Sequence, residues 1–149
     1  MFFVYQLLLS LTFLISPILI LFRILKGKED KKRFTEKFAI FSKKRKPGKL
    51  IWFHGASVGE ILSVIPLIEK YEKDKSIDQI LVTTTTLSSA KVIEKFNFKK
   101  LVHQFYVIDI NFLTSKFLDF WKPSIAIFID SEIWPSMFKQ AKNRNIPLL

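Results

Sequence analysis

The sequence has no cysteine and only two histidines, His54 and His103, among its 149 residues. Without cysteine there can be no disulfide framework and no thiolate zinc site, and two histidines are too few for a histidine-built metal centre. The lack of cysteine also fits a reducing, cytoplasmic location. The chain is long enough to form one ordinary domain with its own core plus an appendage, so it does not need such cross-links.

Acidic residues are scarce in one part of this basic chain. The net charge is +11, and residues 23–49 contain 12 Lys/Arg against 3 Asp/Glu. A basic cluster indicates either nucleic acid or an anionic membrane surface as a partner, or simply a solvated linker. Its position favours a linker that also contacts a membrane, because it directly follows an uncharged apolar run. No nucleic-acid partner is expected.

The apolar run covers residues 2–22 and would reach about 32 Å as an α-helix, enough to cross the hydrocarbon core of a bilayer. It lacks the positive n-region and the small-residue cleavage site of a signal peptide, and the polar face of a core helix. We therefore predict a membrane anchor at residues 1–25 and a basic juxtamembrane helix and linker at residues 26–49. The positive-inside rule places the residues after Arg23 in the cytoplasm. The run is compatible both with spanning the bilayer and with dipping into one leaflet.

From residue 50 onward, short apolar runs alternate with amphipathic stretches of helical length. We predict strands at residues 50–53, 80–83, 102–108 and 124–129, and helices at residues 29–41, 58–71, 89–96, 112–121 and 135–143. Residues 147–149 resemble the start of a fifth strand, so the domain at residues 50–149 is expected to be truncated at its C-terminus. This alternation predicts an α/β fold with a parallel, doubly wound, Rossmann-like sheet.

Ligands of such a sheet bind at the carboxyl ends of its strands, where Ser57 and Glu60 follow the first strand. Ser-x-x-Glu at a helix start is typical of a capping box, and on these residues alone the cap is the stronger interpretation. The alternative is a general base: the helix N-terminus would keep Glu60 ionised, and a carboxylate can take a proton from a sugar hydroxyl. The two roles compete for one side chain. Gly55 and Gly59 would let a bulky substrate approach closely.

Polar residues also follow the second and the fourth predicted strands, and in each case they can be explained either by structure or by ligand binding. The threonines at residues 83–86 either finish the second strand and cap the next helix, or present hydroxyls to a sugar or phosphate. Asp130 and Glu132 resemble an acidic metal motif of some glycosyltransferases, but carboxylates are also favoured by the dipole at the start of a helix. Two acids alone do not define a metal site.

Together these motifs resemble the family of Kdo (3-deoxy-D-manno-octulosonic acid) transferases. The resemblance rests on Lys-Arg-Phe-Thr-Glu-Lys-Phe at residues 32–38, His-x-x-Ser-Val-Gly-Glu at residues 54–60, the threonine turn, and Asp-Ser-Glu-Ile-Trp-Pro at residues 130–135. Their order and spacing match over essentially the whole chain. The chain departs from the family pattern at Asp130, where Glu is usual, at Ser136, where Asn is common, in residues 86–89, and in lacking a proline before Asp109.

The resemblance implies the N-terminal domain of a GT-B glycosyltransferase on the cytoplasmic face of the bacterial inner membrane. This domain would receive a lipid A precursor, a separate C-terminal half would bind CMP-Kdo, and transfer would invert configuration without a metal or other cofactor. It also implies residue roles: Glu60 as general base, Glu132 as supporting acid, and Ser57, Gly59, Thr84, Thr85, Thr86 and Asp130 as acceptor-binding residues. Without the donor half we expect the chain to be inactive alone. The alternative is a non-catalytic, membrane-anchored remnant or binding module.

Overall fold

The computed structural model describes residues 2–129 and 133–149. An apolar helix comes first, followed by a short 3₁₀ helix and then by strands and helices in alternation. The elements are α1 (Phe2–Leu25), the 3₁₀ helix (Phe34–Phe38), β1 (Leu50–His54), α2 (Val58–Lys73), β2 (Gln79–Thr84), α3 (Leu87–Ile93), β3 (Leu101–Phe105), α4 (Asn111–Trp121), β4 (Ile125–Phe128) and α5 (Pro135–Asn143).

The four strands form one parallel sheet in the order β3-β2-β1-β4. β1 is central, and its last residue, His54, lies opposite Thr83 of β2 and Phe128 of β4. Leu148 forms a single parallel β-bridge with Ala126 of β4. Leu148 lies in the segment at residues 147–149, where the start of a fifth strand was expected. The predicted α/β fold with a parallel sheet is confirmed.

Helices cover both faces of this sheet. Along β1 the side chains alternate between two hydrophobic clusters, with Trp52 in one and Phe53 in the other, and every residue of β1 is buried. The Trp52 cluster includes α4 and α5, through residues such as Trp121, and the Phe53 cluster includes α2 and α3, through residues such as Ile61. Burial on both faces explains why the strands read as continuous apolar runs rather than as alternating patterns.

The helix predicted at residues 29–41 is wrong, because only Phe34–Phe38 is helical there, as a single 3₁₀ segment. Asp30 accepts hydrogen bonds from two following backbone N–H groups, which holds a turn before this segment. Glu36 points into the protein and is fully buried. Ala39 then adopts a left-handed conformation, with φ of 54°, and ends the segment. Tertiary contacts of Glu36 therefore override the helical pattern of the phenylalanines.

Two other predicted elements end three residues earlier than expected. β3 ends at Phe105 rather than at residue 108, because the backbone then leaves the sheet and Ile108 N donates to Lys37 O of the 3₁₀ helix at 3.0 Å. α3 covers Leu87–Ile93 rather than residues 89–96, since Thr86 caps it through a hydrogen bond from Ser89 N. Both shifts affect the carboxyl edge of the sheet.

α1 is apolar around its whole circumference. Over Leu7–Leu25 its mean hydropathy is 2.3, and only 6% of that window is buried in the protein. By length and composition it could cross a membrane, which is weak evidence for membrane association.

Candidate functional site

Ser57 and Glu60 cap the N-terminus of α2 reciprocally. The Ser57 Oγ accepts a hydrogen bond from Glu60 N at 3.2 Å, and Glu60 Oε2 accepts one from Ala56 N at 2.8 Å. Ser57 has the extended backbone conformation that is usual for an N-cap residue. The capping interaction predicted for Ser57 and Glu60 is therefore confirmed.

Glu60 uses only one carboxylate oxygen in this cap. Within residues 2–129 and 133–149, Oε1 accepts no hydrogen bond, and the side chain is half-buried. Partial burial raises the pKa of Glu60, but the adjacent Ser57 and the Ala56 N–H, with a contribution from His54, outweigh this effect, so the pKa is lowered. The cap on Oε2 therefore leaves Oε1 without a hydrogen bond from the described residues.

The two glycines that flank this turn differ in their surroundings. A Cβ added at Gly55 would lie 3.0 Å from Ile61 Cδ1 and 3.3 Å from Ile129 Cδ1, so Gly55 is needed for packing of α2 against the sheet. A Cβ added at Gly59 would meet only the Ser57 Oγ, at 4.0 Å, and Gly59 is exposed. Open space for a ligand thus lies beside Gly59 and not beside Gly55.

The threonine turn contacts the same part of the chain through Ala56. The Ala56 carbonyl accepts hydrogen bonds from Thr85 Oγ1 at 3.3 Å and from Ser89 Oγ at 3.0 Å. Thr86 is the N-cap of α3 and also bonds to Ser89 Oγ at 2.8 Å. One residue, Ala56, therefore connects Glu60, through its N–H, with the threonine turn, through its carbonyl.

Thr84, unlike Thr85 and Thr86, is not accessible at the surface of the turn. It is fully buried, and its hydroxyl lies 2.9 Å from His103 Nε2. Arg33 donates to the other side of His103, at 3.0 Å from Nδ1 and 2.8 Å from the carbonyl oxygen. Thr84 thus supports the turn from inside the protein, whereas Thr85 and Thr86 are half-buried at its surface.

Asp109, after β3, holds the N-terminus of α5. Its carboxylate accepts hydrogen bonds from Ser136 N at 2.9 Å and Met137 N at 2.8 Å, and from the Tyr5 hydroxyl of α1 at 2.8 Å. Burial raises the pKa of Asp109, and these hydrogen bonds only partly offset that effect. Asp130 and Glu132, the two acids predicted to act at this edge, lie outside the described residues.

A cavity of about 230 Å³ opens between α1 and this edge. Its lining includes Leu9 of α1, Lys37, Thr85, Tyr106 and Trp134. A larger cavity, about 640 Å³, is lined by α5 and the residues after it rather than by the site. In the part of the chain that the structure describes, no cluster of three or more His, Asp or Glu side chains could hold a metal ion.

Sequence reasoning missed two buried acids, Glu29 and Glu36. Glu36 accepts two hydrogen bonds from Arg33, at 2.9 and 3.0 Å, and one from Phe105 N at 2.9 Å. Glu29 accepts hydrogen bonds from Arg23 of α1 at 3.1 Å and from Lys37 at 2.7 Å. The signal that could have found them is their scarcity: they are two of only three acids within the basic stretch.

Acidification should destabilise the fold through its two buried histidines. Burial lowers the pKa of His54 to about 4 and that of His103 to about 3, the latter helped by Arg33. Below about pH 6.5, the ordinary pKa of histidine, the unfolded chain therefore binds more protons than the folded chain. The free energy of unfolding is at its full value above that pH and falls as the pH drops toward about 4.

Between pH 6 and 5 we expect a loss of about 1 kcal/mol per histidine. The measurement is denaturant unfolding of the full chain in detergent micelles, followed by tryptophan fluorescence. A His103→Gln variant should show about half the slope because only His54 still titrates. A stability that does not change with pH in this window would contradict the prediction.

Comparisons with known proteins show which family this chain resembles. The family model for 3-deoxy-D-manno-octulosonic-acid transferase matches residues 32–149. A probable mitochondrial 3-deoxy-D-manno-octulosonic acid transferase of Arabidopsis thaliana is 40% identical over 98% of this chain and 33% of its own length. The 3-deoxy-D-manno-octulosonic acid transferase of Rickettsia bellii is 41% identical over 88% of the chain and 32% of its own length. That of Haemophilus influenzae is 26% identical over 94% of the chain and 34% of its own length.

The chain therefore spans about a third of the length of these relatives. No solved structure gave a significant match. Because the family model covers most of the chain, including the capped turn at Glu60 and the threonine turn, the chain belongs to the 3-deoxy-D-manno-octulosonic acid (Kdo) transferase family.

Proposed function

We propose that this chain is the acceptor-binding part of an enzyme that transfers Kdo from CMP-Kdo to a lipid A precursor. The observation that carries the proposal is the geometry of Glu60. Its Oε2 is fixed by the Ala56 N–H at 2.8 Å, its Oε1 accepts no hydrogen bond from the described residues, and its lowered pKa keeps it ionised at neutral pH. A fixed, ionised carboxylate at the carboxyl edge of the sheet, with one oxygen outside the cap, is suited to general-base catalysis.

In the proposed reaction, an acceptor hydroxyl attacks the anomeric carbon of Kdo while Glu60 takes the hydroxyl proton. The new bond joins the acceptor oxygen to that carbon. The bond between the anomeric carbon and the CMP phosphate oxygen breaks, and CMP leaves with its electron pair. A single displacement of this kind inverts configuration and requires of this chain a positioned base and a bound acceptor.

The acceptor would lie against the surface that surrounds Glu60. Ser57 and Gly59 are exposed beside it, and Thr85 and Thr86 are half-buried in the turn held by the Ala56 carbonyl. Thr84 would act through the turn, since its own hydroxyl is buried against His103. The proposed acceptor contact of Asp130 and the supporting role of Glu132 remain predictions, because both residues lie outside the described part of the chain.

The location that we propose is the cytoplasmic face of a bacterial inner membrane. α1 supplies the apolar surface, and the basic residues after Arg23 supply attraction to anionic head groups. An acceptor with acyl chains would reach the site from the same membrane. This arrangement agrees with the cavity between α1 and the threonine turn.

A fusion of residues 1–149 with the other two thirds of a relative should transfer Kdo. In the test, residues 1–149 replace the matching part of the Rickettsia bellii relative, and transfer of labelled Kdo from CMP-Kdo to a lipid A precursor is measured. We expect the fusion to transfer Kdo and residues 1–149 by themselves to transfer none, because the proposed donor site lies in the part supplied by the relative. The intact relative is the positive control. A folded fusion without activity, or a chain active by itself, would contradict the proposal.

A further inference from the structure

The described contacts of α1 with the domain lie along one stripe, from Tyr5 to Arg23. Among its described side chains, those that are buried or half-buried recur every three or four residues, which at about 100° per residue places them on one face. They are Tyr5, Leu9, Phe13, Ser16, Ile20, Arg23 and Ile24. Tyr5 bonds to Asp109, and Phe13 packs edge-on against Phe38 at 5.8 Å. At the far end, Arg23 bonds to the buried Glu29.

The opposite face of α1 is a strip of exposed, large apolar side chains. It consists of Leu7, Leu11, Leu14, Ile18, Phe22 and Leu25, which are each more than half exposed, up to 77% at Leu25. These residues also recur at intervals of three or four, half a turn away from the docked stripe. An exposed apolar surface of this size marks a contact with a membrane or another protein.

Contacts that extend from Tyr5 to Arg23 conflict with a transmembrane orientation of α1. From Tyr5 to Arg23 the contacts extend over about 27 Å, close to the thickness of about 30 Å for a hydrocarbon core. If α1 spanned the bilayer in this conformation, the polar loops beside it would be inside the hydrocarbon. Lys37 and Thr85, which line the cavity next to Leu9 and are both partly exposed, would then lose their contact with water.

The charges beside α1 favour a membrane over a second protein as the occupant of this strip. Lys26 and Lys28 come directly after the helix and are exposed, and Lys28 shares a cavity with Arg23 and with Lys91 of α3. Cations from two separate elements thus gather at the C-terminal end of the apolar strip. A helix with a long apolar surface and cations gathered at one end is suited to a leaflet of anionic lipids.

We propose that α1 is an in-plane anchor: it lies parallel to the membrane surface, with its exposed strip in the acyl chains of one leaflet and its docked stripe on the domain. This inference rests on the membrane location in the proposed function and adds to it the orientation of α1 relative to the bilayer. It places the threonine turn, which lines a cavity with Leu9, at the level of the lipid head groups.

The test is a depth profile along the exposed strip. Because the chain has no cysteine, single cysteines introduced as Leu7→Cys, Leu14→Cys and Leu25→Cys can be spin-labelled without background. The full chain is reconstituted in vesicles of phosphatidylethanolamine and phosphatidylglycerol, and depth is measured from oxygen and nickel-chelate relaxation. A Ser16→Cys label on the docked stripe is the matched control.

An in-plane helix predicts similar depths, about 5–10 Å, at Leu7, Leu14 and Leu25, and a Ser16 label shielded from both relaxants. A spanning helix predicts a depth of about 15 Å at Leu14 and shallow positions at both ends. That peaked profile would overturn the proposal, as would labels exposed to water at all three positions or a Ser16 label as accessible to oxygen as Leu14.

The profile can also be measured in the fusion with the Rickettsia bellii relative, so that this inference and the proposed function are tested separately. A peaked profile in a fusion that transfers Kdo would overturn only the in-plane geometry. A flat profile in an inactive fusion would support that geometry and count against the proposed function.

Discussion

Glu60→Gln should lower Kdo transfer by the fusion by about 10²–10⁴-fold, the usual contribution of a positioned general base. Glutamine keeps the shape of the side chain, and its carbonyl oxygen can still accept the Ala56 N–H, so the cap is retained. An amide cannot take the proton of the attacking hydroxyl. The loss should therefore appear in kcat, measured with labelled Kdo at saturating acceptor, with little change in stability.

The matched control is Glu69→Gln, which removes an exposed carboxylate from the same helix. We expect its transfer rate and stability to stay near those of the parent fusion. If Glu60→Gln retained near-normal transfer, the carboxylate would be a cap and nothing more. If it lost stability as well as activity, the loss of transfer would reflect the cap and could not be assigned to the chemistry.

Glu36→Gln should destabilise the fold by about 3–5 kcal/mol, the usual cost of leaving one member of a buried ion pair without its partner. Glu36 is fully buried, and the side chain of Arg33 is only 16% exposed. Replacing the carboxylate with an amide removes the buried charge that compensates Arg33, leaving only the exposed Glu94 at 3.8 Å, and weakens the hydrogen bond to Phe105 N. Denaturant unfolding of the full chain in micelles, followed by tryptophan fluorescence, measures this effect.

A double-mutant cycle with Arg33→Met separates the ion pair from the rest of the environment. The double variant should lose less stability than the two single variants together, because no uncompensated charge is left. Glu69→Gln again serves as the exposed control and should change stability by no more than about 0.5 kcal/mol. Additive losses in the cycle would show that Arg33 and Glu36 do not act as a pair.

The sheet was predictable because each of its strands is marked by a short run of consecutive apolar residues. Continuous apolar runs such as residues 50–53 can be recognised without knowing which strands they pair with, and burial on both faces follows from that pattern. The cap at Ser57 and Glu60 was predictable for the same reason, since all of its atoms come from five consecutive residues. The sequence could not show that the cap uses a single oxygen of Glu60.

The 3₁₀ segment and the threonine turn depend on contacts that are distant in the sequence. Glu36 is held by Phe105 N, 69 residues away, so the helical pattern around it was misleading. Thr84 and Thr85 are neighbours with the same side chain, yet His103 makes one a buried support and leaves the other at the surface. A single sequence does not show which of two adjacent threonines faces a histidine from another strand.

The carboxylate of Asp109 contacts two helices that are far apart in the sequence, α1 and α5. It accepts hydrogen bonds from the first turn of α5 and from Tyr5 of α1. Docking of α1 and ordering of the N-terminus of α5 are therefore thermodynamically linked. A ligand that favours the ordered α5 terminus strengthens docking of α1, and a lipid surface that favours docked α1 strengthens binding of that ligand by the same factor.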